Sequence, residues 1–177
     1  ICGRLSPSAA TEISTALCWY SQATSITSRE MVALNITESH KTAENIKARG
    51  AFTLSVADTA HLAQADFFGI ASGNKMPDKF ARSGLHAVPG GKVDAPIVEE
   101  FPLTLECRVA ELQHDKGGFR VLGEIVDVLA DELVLDEAGK VDPTKLNAFV
   151  FDQFQNGYYA LGEKIGQAWS SGKKFMK

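Results

Sequence analysis

The sequence predicts a mainly β protein in which short helices accompany an antiparallel sheet or barrel. Apolar residues alternate along residues 103–109 and again along residues 119–128, with a break at Gly123. Such alternation is typical of strands that bury one face. The two strands follow each other along the chain, and the helices expected elsewhere are short. These observations favour antiparallel pairing.

The first third of the chain predicts two strands around one helix. Residues 31–36 are mostly apolar and predict a buried strand. Residues 37–39 then supply side chains that cap a helix running to about Arg49, with Gly50 as its stop. Residues 51–56 alternate again and predict the second strand.

Three further helices are predicted from local signals. Asp58 or Thr59 caps a helix through about Ala65, and Pro77 suits the first turn of a short helix that Gly84 closes. The last helix is predicted within residues 158–175 from apolar residues four apart, although two glycines oppose it. The apolar residues are Leu161, Ile165 and Trp169, and the glycines are Gly162 and Gly166.

Length, charge and cysteine usage limit the class of protein. The 177 residues fit one domain, residues 1–177, and the net charge of −4 comes without the basic stripe that nucleic acid requires. No apolar run reaches the roughly 18–20 residues that cross a bilayer, so no membrane partner is expected. Three cysteines without a CxxC pair favour a reducing, cytoplasmic compartment and no metal site.

The first candidate site is Ser39-His40-Lys41-Thr42 at the start of the first helix. A helix start exposes backbone N–H groups at the positive end of the helix dipole, and both features attract an anion. Ser39 and Thr42 add hydroxyl donors, and Lys41 adds charge. The alternative is a capped surface helix with a solvated lysine, since capping residues occur at nearly every helix.

The second candidate site combines Ser72-Gly73 with Lys79. The loop around Gly73 can bring backbone N–H groups close to a ligand, and Lys79 falls in the first turn of the following helix. A lysine there opposes the helix dipole, so an anionic partner would explain it. The alternative is an exposed lysine whose long stem keeps its charge in water.

The third candidate is a group of aromatic residues that could stack on a flat heterocycle. Within it are Phe149, Phe151, Phe154, Tyr158 and Tyr159, with Trp19 and Trp169 elsewhere in the chain. The alternative is a role in the core or in a subunit interface. No GxGxxG or GxSxG motif is present, so neither a Rossmann nucleotide site nor a hydrolase is supported, and no catalytic residue is predicted.

Seven segments in a fixed order resemble the flavin reductase-like family of FMN-binding split barrels. They contain Ser39-His40-Lys41-Thr42, Asp66-Phe67-Phe68-Gly69, Pro77-Asp78-Lys79-Phe80, Val93-Asp94-Ala95-Pro96, Leu105-Glu106-Cys107, Gly123-Glu124-Ile125 and Tyr158-Tyr159-Ala160-Leu161-Gly162. The resemblance implies an FMN-binding split β-barrel of the antiparallel Greek-key type. It also implies a homodimer with one FMN per subunit near the interface.

The resemblance assigns roles to the candidate residues. Ser39 and Thr42 would hold the FMN phosphate within the Ser39-His40-Lys41-Thr42 segment, and Lys79 would approach the flavin or its phosphate. Ser72-Gly73 would lie beside the flavin, with Phe151 and Trp19 near its ring. Two positions depart from the family: Ile13 stands where an asparagine is common, and Gly118 where a histidine is common.

The function implied by the resemblance is that of an FMN-dependent oxidoreductase. NAD(P)H would donate electrons, and a free flavin, a metal complex or a redox partner protein would accept them. The alternative is a non-enzymatic, flavoredoxin-like electron carrier. A split barrel that has lost its flavin is a third possibility, since residues 1–30 match the family poorly.

Overall fold

The computed structural model describes residues 30–115 and 118–176 of the chain. In chain order its strands are β1 (Met31–Thr37), β2 (Ala51–Val56), β3 (Ala87–Pro89), β4 (Pro96–Val98), β5 (Leu103–Asp115), β6 (Gly118–Ala130), β7 (Phe149–Asp152) and β8 (Gly157–Ala160). Its α-helices are α1 (Lys41–Arg49), α2 (Leu62–Ile70), α3 (Lys79–Ser83) and α4 (Pro143–Leu146). Short 3-10 turns lie at Thr59–His61, Glu132–Val134 and Lys173–Phe175. None of the described helices is long and apolar enough to cross a membrane.

The main sheet has four strands in the order β1-β6-β5-β2. All its neighbours are antiparallel. The consecutive strands β1 and β2 lie at opposite edges, with the β5–β6 hairpin between them, which is a connection of the Greek-key kind. The predicted mainly β, antiparallel fold with short helices is confirmed. Two small hairpins, β3–β4 and β7–β8, complete the sheets of the described residues.

The main sheet has two ends, which are named here after the β5–β6 hairpin: the tip end, where β5 and β6 connect, and the base end, where they are farthest from that connection. At the tip end, Asp115 pairs with Gly118, and Gly118 also pairs with Thr37 of β1. At the base end, Leu103 pairs with Ala130 of β6 and with Val56 of β2. Since α1 follows β1, it begins near the tip end of the sheet.

Of the three apolar clusters among the described residues, two hold α1, α2 and α3 on this frame. Below α1, the buried side chains of Ile46, Phe52 and Val121 belong to one cluster with Cys107 and Phe119. The other cluster joins α2 and α3 to the β3–β4 hairpin and to Phe149 of β7, through Phe68, Leu85, Val98 and Phe101. Burying such a side chain stabilises the fold by about 1.5–3 kcal/mol. Both clusters therefore fix the positions of the helix ends.

Two helix boundaries differ from the prediction. Asp58 caps the 3-10 turn as expected, accepting a hydrogen bond from the His61 N–H at 3.1 Å, but α2 then continues beyond Ala65 to Ile70. The extension occurs because Phe68 is buried against the ring of Phe80, with parallel rings 5.9 Å apart. The next helix begins at Lys79 rather than at Pro77.

The predicted helix within residues 158–175 is wrong. Residues 158–160 belong to β8, and residues 161–172 form turns and irregular structure before the 3-10 turn at Lys173–Phe175. The apolar side chains of Ile165 and Trp169 are exposed, and Trp169 has a left-handed φ of 56°. A helix with two glycines and no surface to pack against is not stable in water. The four-residue spacing of apolar side chains is therefore not sufficient to predict a helix here.

Gly118, where the family often has a histidine, lies against the edge strand β1. A Cβ atom at this position would be 2.8 Å from the Ile36 carbonyl oxygen. Side chains do not tolerate such a distance to backbone, so the strand would have to shift. The departure from the family pattern is thus accompanied by close packing of β1 on β6.

Candidate functional site

The start of α1 is capped differently from the prediction. His40 is the N-cap residue, its backbone is extended, and its side chain makes no capping hydrogen bond. The prediction that side chains of residues 37–39 cap the helix is therefore wrong. Backbone bonds hold the turn instead, from the His40 N–H to the Thr37 carbonyl at 3.1 Å and from the Ala43 N–H to the His40 carbonyl at 3.0 Å. The N-cap side chain therefore leaves the first backbone N–H groups of α1 uncapped, and N–H groups at the positive end of a helix suit an anion.

Residues 39–42, here called the helix-start turn, carry less net charge than their sequence indicates. The ammonium of Lys41 lies 2.6 Å from a carboxylate oxygen of Glu44, and both side chains are partly exposed. A similar pair joins Lys47 to Glu38 at 2.7 Å and holds the pKa of Glu38 below its usual value. Exposed pairs of this kind are worth about 0–1 kcal/mol, so Lys41 can change partners at little cost. An anion at this turn would therefore be held mainly by backbone N–H groups and hydroxyls.

The two hydroxyl residues of the turn differ in burial. Ser39 is exposed, whereas Thr42 is buried at the first turn of α1. Thr42 lies next to Ala43, which has no exposed surface and packs into the core below α1. The core therefore fixes Thr42 in place, while Ser39 remains accessible from outside.

Residues 71–76, here called the glycine loop, lie against the helix-start turn. The side-chain amide of Asn74 donates a hydrogen bond to the Ser39 carbonyl at 2.8 Å. The loop is closed on itself, because the N–H groups of Lys75 and Met76 both donate to the Ser72 carbonyl. Two of the predicted site segments, Ser72-Gly73 and residues 39–42, are thus brought together. Asn74, which stands next to Gly73, was not among the predicted site residues.

Lys79 holds the other side of the glycine loop. Its side chain is buried, with 5 % of its surface exposed, and its ammonium donates to the carbonyls of Ala71 at 2.9 Å and Phe68 at 3.2 Å. These carbonyls lie at the C-terminal end of α2, where a positive charge is favourable. The alternative of an exposed, solvated lysine is wrong. The structure shows Lys79 joining α2, α3 and the glycine loop.

Phe151 lies in β7, and its link to this region runs through α2. Phe151 pairs with Tyr158 across the hairpin, and their ring centroids are 5.4 Å apart. The hydroxyl of Tyr158 donates to a carboxylate oxygen of Asp66 in α2 at 2.7 Å, and this bond raises the pKa of Tyr158. Half of the Phe151 surface is exposed, so the ring is open to a ligand or a partner. The Tyr158–Asp66 bond was not anticipated from the sequence.

Trp19, the remaining predicted site residue, lies outside the described residues.

The thiol of Cys107 is fully buried, and burial together with the Glu106 carboxylate raises its pKa to about 12. At neutral pH this thiol is protonated, and nucleophilic chemistry requires a thiolate. Cys107 therefore belongs to the core and does not contribute a reacting group.

Solved structures similar to this chain include two flavoredoxins and a protein with a split barrel domain. Flavoredoxin of Desulfovibrio vulgaris (Miyazaki F) is 38% identical over 80% of this chain and 75% of that chain, with a TM-score of 0.74. Flavoredoxin from Methanosarcina acetivorans is 28% identical over 84% and 81% of the two chains, with a TM-score of 0.77. A protein with a split barrel domain from Shewanella frigidimarina is 26% identical over 78% and 70%, with a TM-score of 0.66. The expected split-barrel fold is confirmed.

No curated protein matches the chain. The model of the flavin reductase like domain matches residues 8–146, which is most of the 177 residues. That range includes the helix-start turn, the glycine loop and Lys79. The chain belongs to the flavin reductase like domain family.

Proposed function

We propose that this protein binds FMN and acts as an NAD(P)H-dependent flavin reductase. Electrons would pass from a nicotinamide through FMN to a free flavin, a metal complex or a protein acceptor. The observation that carries the proposal is the hydrogen bond from Asn74 to Ser39, which places the glycine loop beside the start of α1. Family membership and the similarity to flavoredoxins support a flavin as the ligand.

The residues of the helix-start turn fit a phosphate group. The first-turn N–H groups of α1, the hydroxyls of Ser39 and Thr42 and the exchangeable ammonium of Lys41 are the donors that such a group requires. The backbone of His40 belongs to the same turn, and Ser72-Gly73 supplies a neighbouring loop. We assign the FMN phosphate to this place.

The aromatic residues and Lys79 take different roles in the proposal. Phe151 is exposed and supplies an apolar surface for the flavin ring, to which Trp19 is assigned by resemblance. Lys79 holds the glycine loop in place through its two carbonyl bonds. When bound, FMN would supply the redox chemistry. The chain's own residues bind and orient the cofactor, which needs no protein acid or base.

A homodimer with FMN near the interface is part of the proposal. The β7–β8 hairpin carries several exposed apolar side chains, which is unusual for a surface that faces only water. These are Val150, Phe151, Phe154, Tyr158 and Tyr159. A second copy that covers this hairpin would also enclose the ring of the flavin.

Lys79→Ala is expected to lower FMN affinity and to destabilise the fold by about 1–3 kcal/mol, since it leaves buried carbonyls without a donor. Titration with FMN and urea unfolding measure the two effects. The matched control is Arg82→Ala on the same helix, whose pair with Asp78 is exposed and is expected to contribute little to stability. Equal FMN affinity in Lys79→Ala and the parent protein would remove Lys79 from the site.

Anaerobic mixing of the FMN-loaded protein with NADH or NADPH is expected to bleach the flavin absorbance band at a catalytic rate. The second candidate function is a non-enzymatic electron carrier, favoured by the 38% identity to a flavoredoxin. Loss of bleaching with both nicotinamides, alongside reoxidation by a protein acceptor after chemical reduction, would favour the carrier. A colourless protein that takes up no added FMN would contradict both candidates.

A further inference from the structure

A cavity of about 480 Å³ lies at the base end of the sheet, at the opposite end of β5 and β6 from the helix-start turn. Phe101, Leu129 and Val134 give it an apolar lining, and Leu133 at its edge is 82% exposed. A space of this size is within the roughly 300–1,000 Å³ of typical ligand pockets. The proposed flavin role leaves this cavity unexplained.

The rim of the cavity is acidic. Four carboxylates line it, and among the residues that line it Lys145 is the one lysine or arginine. The Lys145 ammonium is already bonded to the Leu135 carbonyl. The carboxylates are those of Asp58, Glu99, Glu100 and Asp131. Two of them already face an imidazole, Asp58 that of His61 at 2.6 Å and Glu100 that of His86 at 2.6 Å. Glu99 and Asp131 remain to favour a basic partner over the phosphate groups of FMN or a nicotinamide nucleotide.

Residues 161–176, here called the C-terminal segment, have the complementary composition. Their large apolar side chains are almost completely exposed, with Ile165 at 103%, Trp169 at 92% and Phe175 at 82%. Three lysines accompany them, Lys164, Lys173 and Lys174, against one glutamate, Glu163. Exposed apolar groups in this number mark a contact surface in soluble proteins.

The C-terminal segment leaves the fold beside the cavity without entering it. The Leu161 N–H donates to the Ala148 carbonyl at 3.2 Å, and Ala148 forms a β-bridge with Asp58 of the rim. From that point residues 161–176 remain exposed. One chain therefore carries an apolar, basic segment beside an apolar, acidic cavity. The segment of that chain does not fill its own cavity.

We propose that the C-terminal segment of one copy docks into the acidic cavity of a second copy. Exchange of an identical segment between two copies forms a dimer in which both cavities and both segments are covered. Burial of Ile165 and Trp169 drives the contact, and the lysines set its orientation against the rim carboxylates. The proposal does not depend on flavin binding, since none of the residues that line the cavity is assigned to the flavin.

Disulfide trapping between two different variants tests the exchange. In the 177-residue chain with Cys2→Ser and Cys18→Ser, one variant carries Leu133→Cys at the cavity and the other carries Ser170→Cys beside Trp169. The two are purified with tags of different size, mixed and oxidised. We expect a disulfide-linked product that contains one chain of each. The matched control replaces Leu133→Cys with Gln113→Cys, an exposed position near the tip end, and is expected to give no such product.

Absence of the mixed product, or equal trapping with the Gln113→Cys control, would overturn the proposal. A chain that carries both cysteines and closes its disulfide internally as a monomer would also overturn it, in favour of docking within one copy.

Sedimentation supplies a second measurement. Glu99→Lys is expected to raise the dimer dissociation constant about tenfold, equivalent to about 1.4 kcal/mol, and added Lys173→Glu to restore it. FMN affinity, titrated at a protein concentration at which the Glu99→Lys variant is still dimeric, is expected to be unchanged, so failure here is distinct from failure of the proposed flavin site.

Discussion

Gly123→Ala is expected to lower the free energy of unfolding by about 1–3 kcal/mol, the usual cost of overpacking a core. A Cβ atom at Gly123 would lie 2.5 Å from Cζ and 2.8 Å from Cε1 of Phe52, and 3.4 Å from Cβ of Cys107. Phe52 cannot move aside easily, because only 2% of its surface is exposed and it packs in the cluster below α1. Urea unfolding monitored by circular dichroism measures the change.

The matched control is Gly69→Ala, which makes the same chemical change where no heavy atom lies within 4 Å. Gly69 is exposed within α2, so alanine is expected to stabilise the protein by about 0.5–1 kcal/mol there. Opposite signs for the two variants would assign the effect to the Phe52 contact. If both variants were stabilised, the close approach between β2 and β6 would be contradicted.

The sequence predicted the long strands because their alternation is local. The strand at residues 103–109 was predicted too short, since β5 continues to Asp115 after a register shift between Val109 and Glu111. Such a shift interrupts the two-residue period on which the prediction depends. Gly123 was recognised as a break, but its cause lies in Phe52, on a strand more than 70 residues earlier in the sequence.

The site contacts that could not be predicted from the sequence join residues that are far apart along the chain. The bond from Asn74 to the Ser39 carbonyl spans 35 residues, and the bond from Tyr158 to Asp66 spans 92. No local pattern distinguishes an amide that joins two segments from one that faces water. Lys79 is a third example. Its unfavourable position relative to the dipole of its own helix can be read from the sequence, but its hydrogen-bond partners are carbonyls at the end of another helix. The resemblance supplied the order of the segments, and the structure supplied their contacts.

Ser39→Asp is expected to weaken FMN binding about tenfold to a hundredfold while leaving the fold intact. Ser39 is exposed at the helix-start turn, so a carboxylate there faces the place assigned to the phosphate. Two unit charges about 4 Å apart repel by about 1 kcal/mol in water and about 4 kcal/mol at a protein surface, which brackets the expected loss. The same carboxylate lies near the positive end of α1 and is expected to stabilise the free protein by about 0.3–1 kcal/mol.

Riboflavin separates the phosphate from the ring in this experiment, because it has the same ring system and no phosphate. Fluorescence titration of Ser39→Asp is expected to give a reduced affinity for FMN and an unchanged affinity for riboflavin. Ser39→Asn is the neutral control of nearly equal size and is expected to retain most of the FMN affinity. Equal losses for both flavins would place the ring, rather than the phosphate, at the start of α1. Unchanged FMN affinity in Ser39→Asp would remove the phosphate from this turn, because an added negative charge at an anion site cannot be neutral in effect.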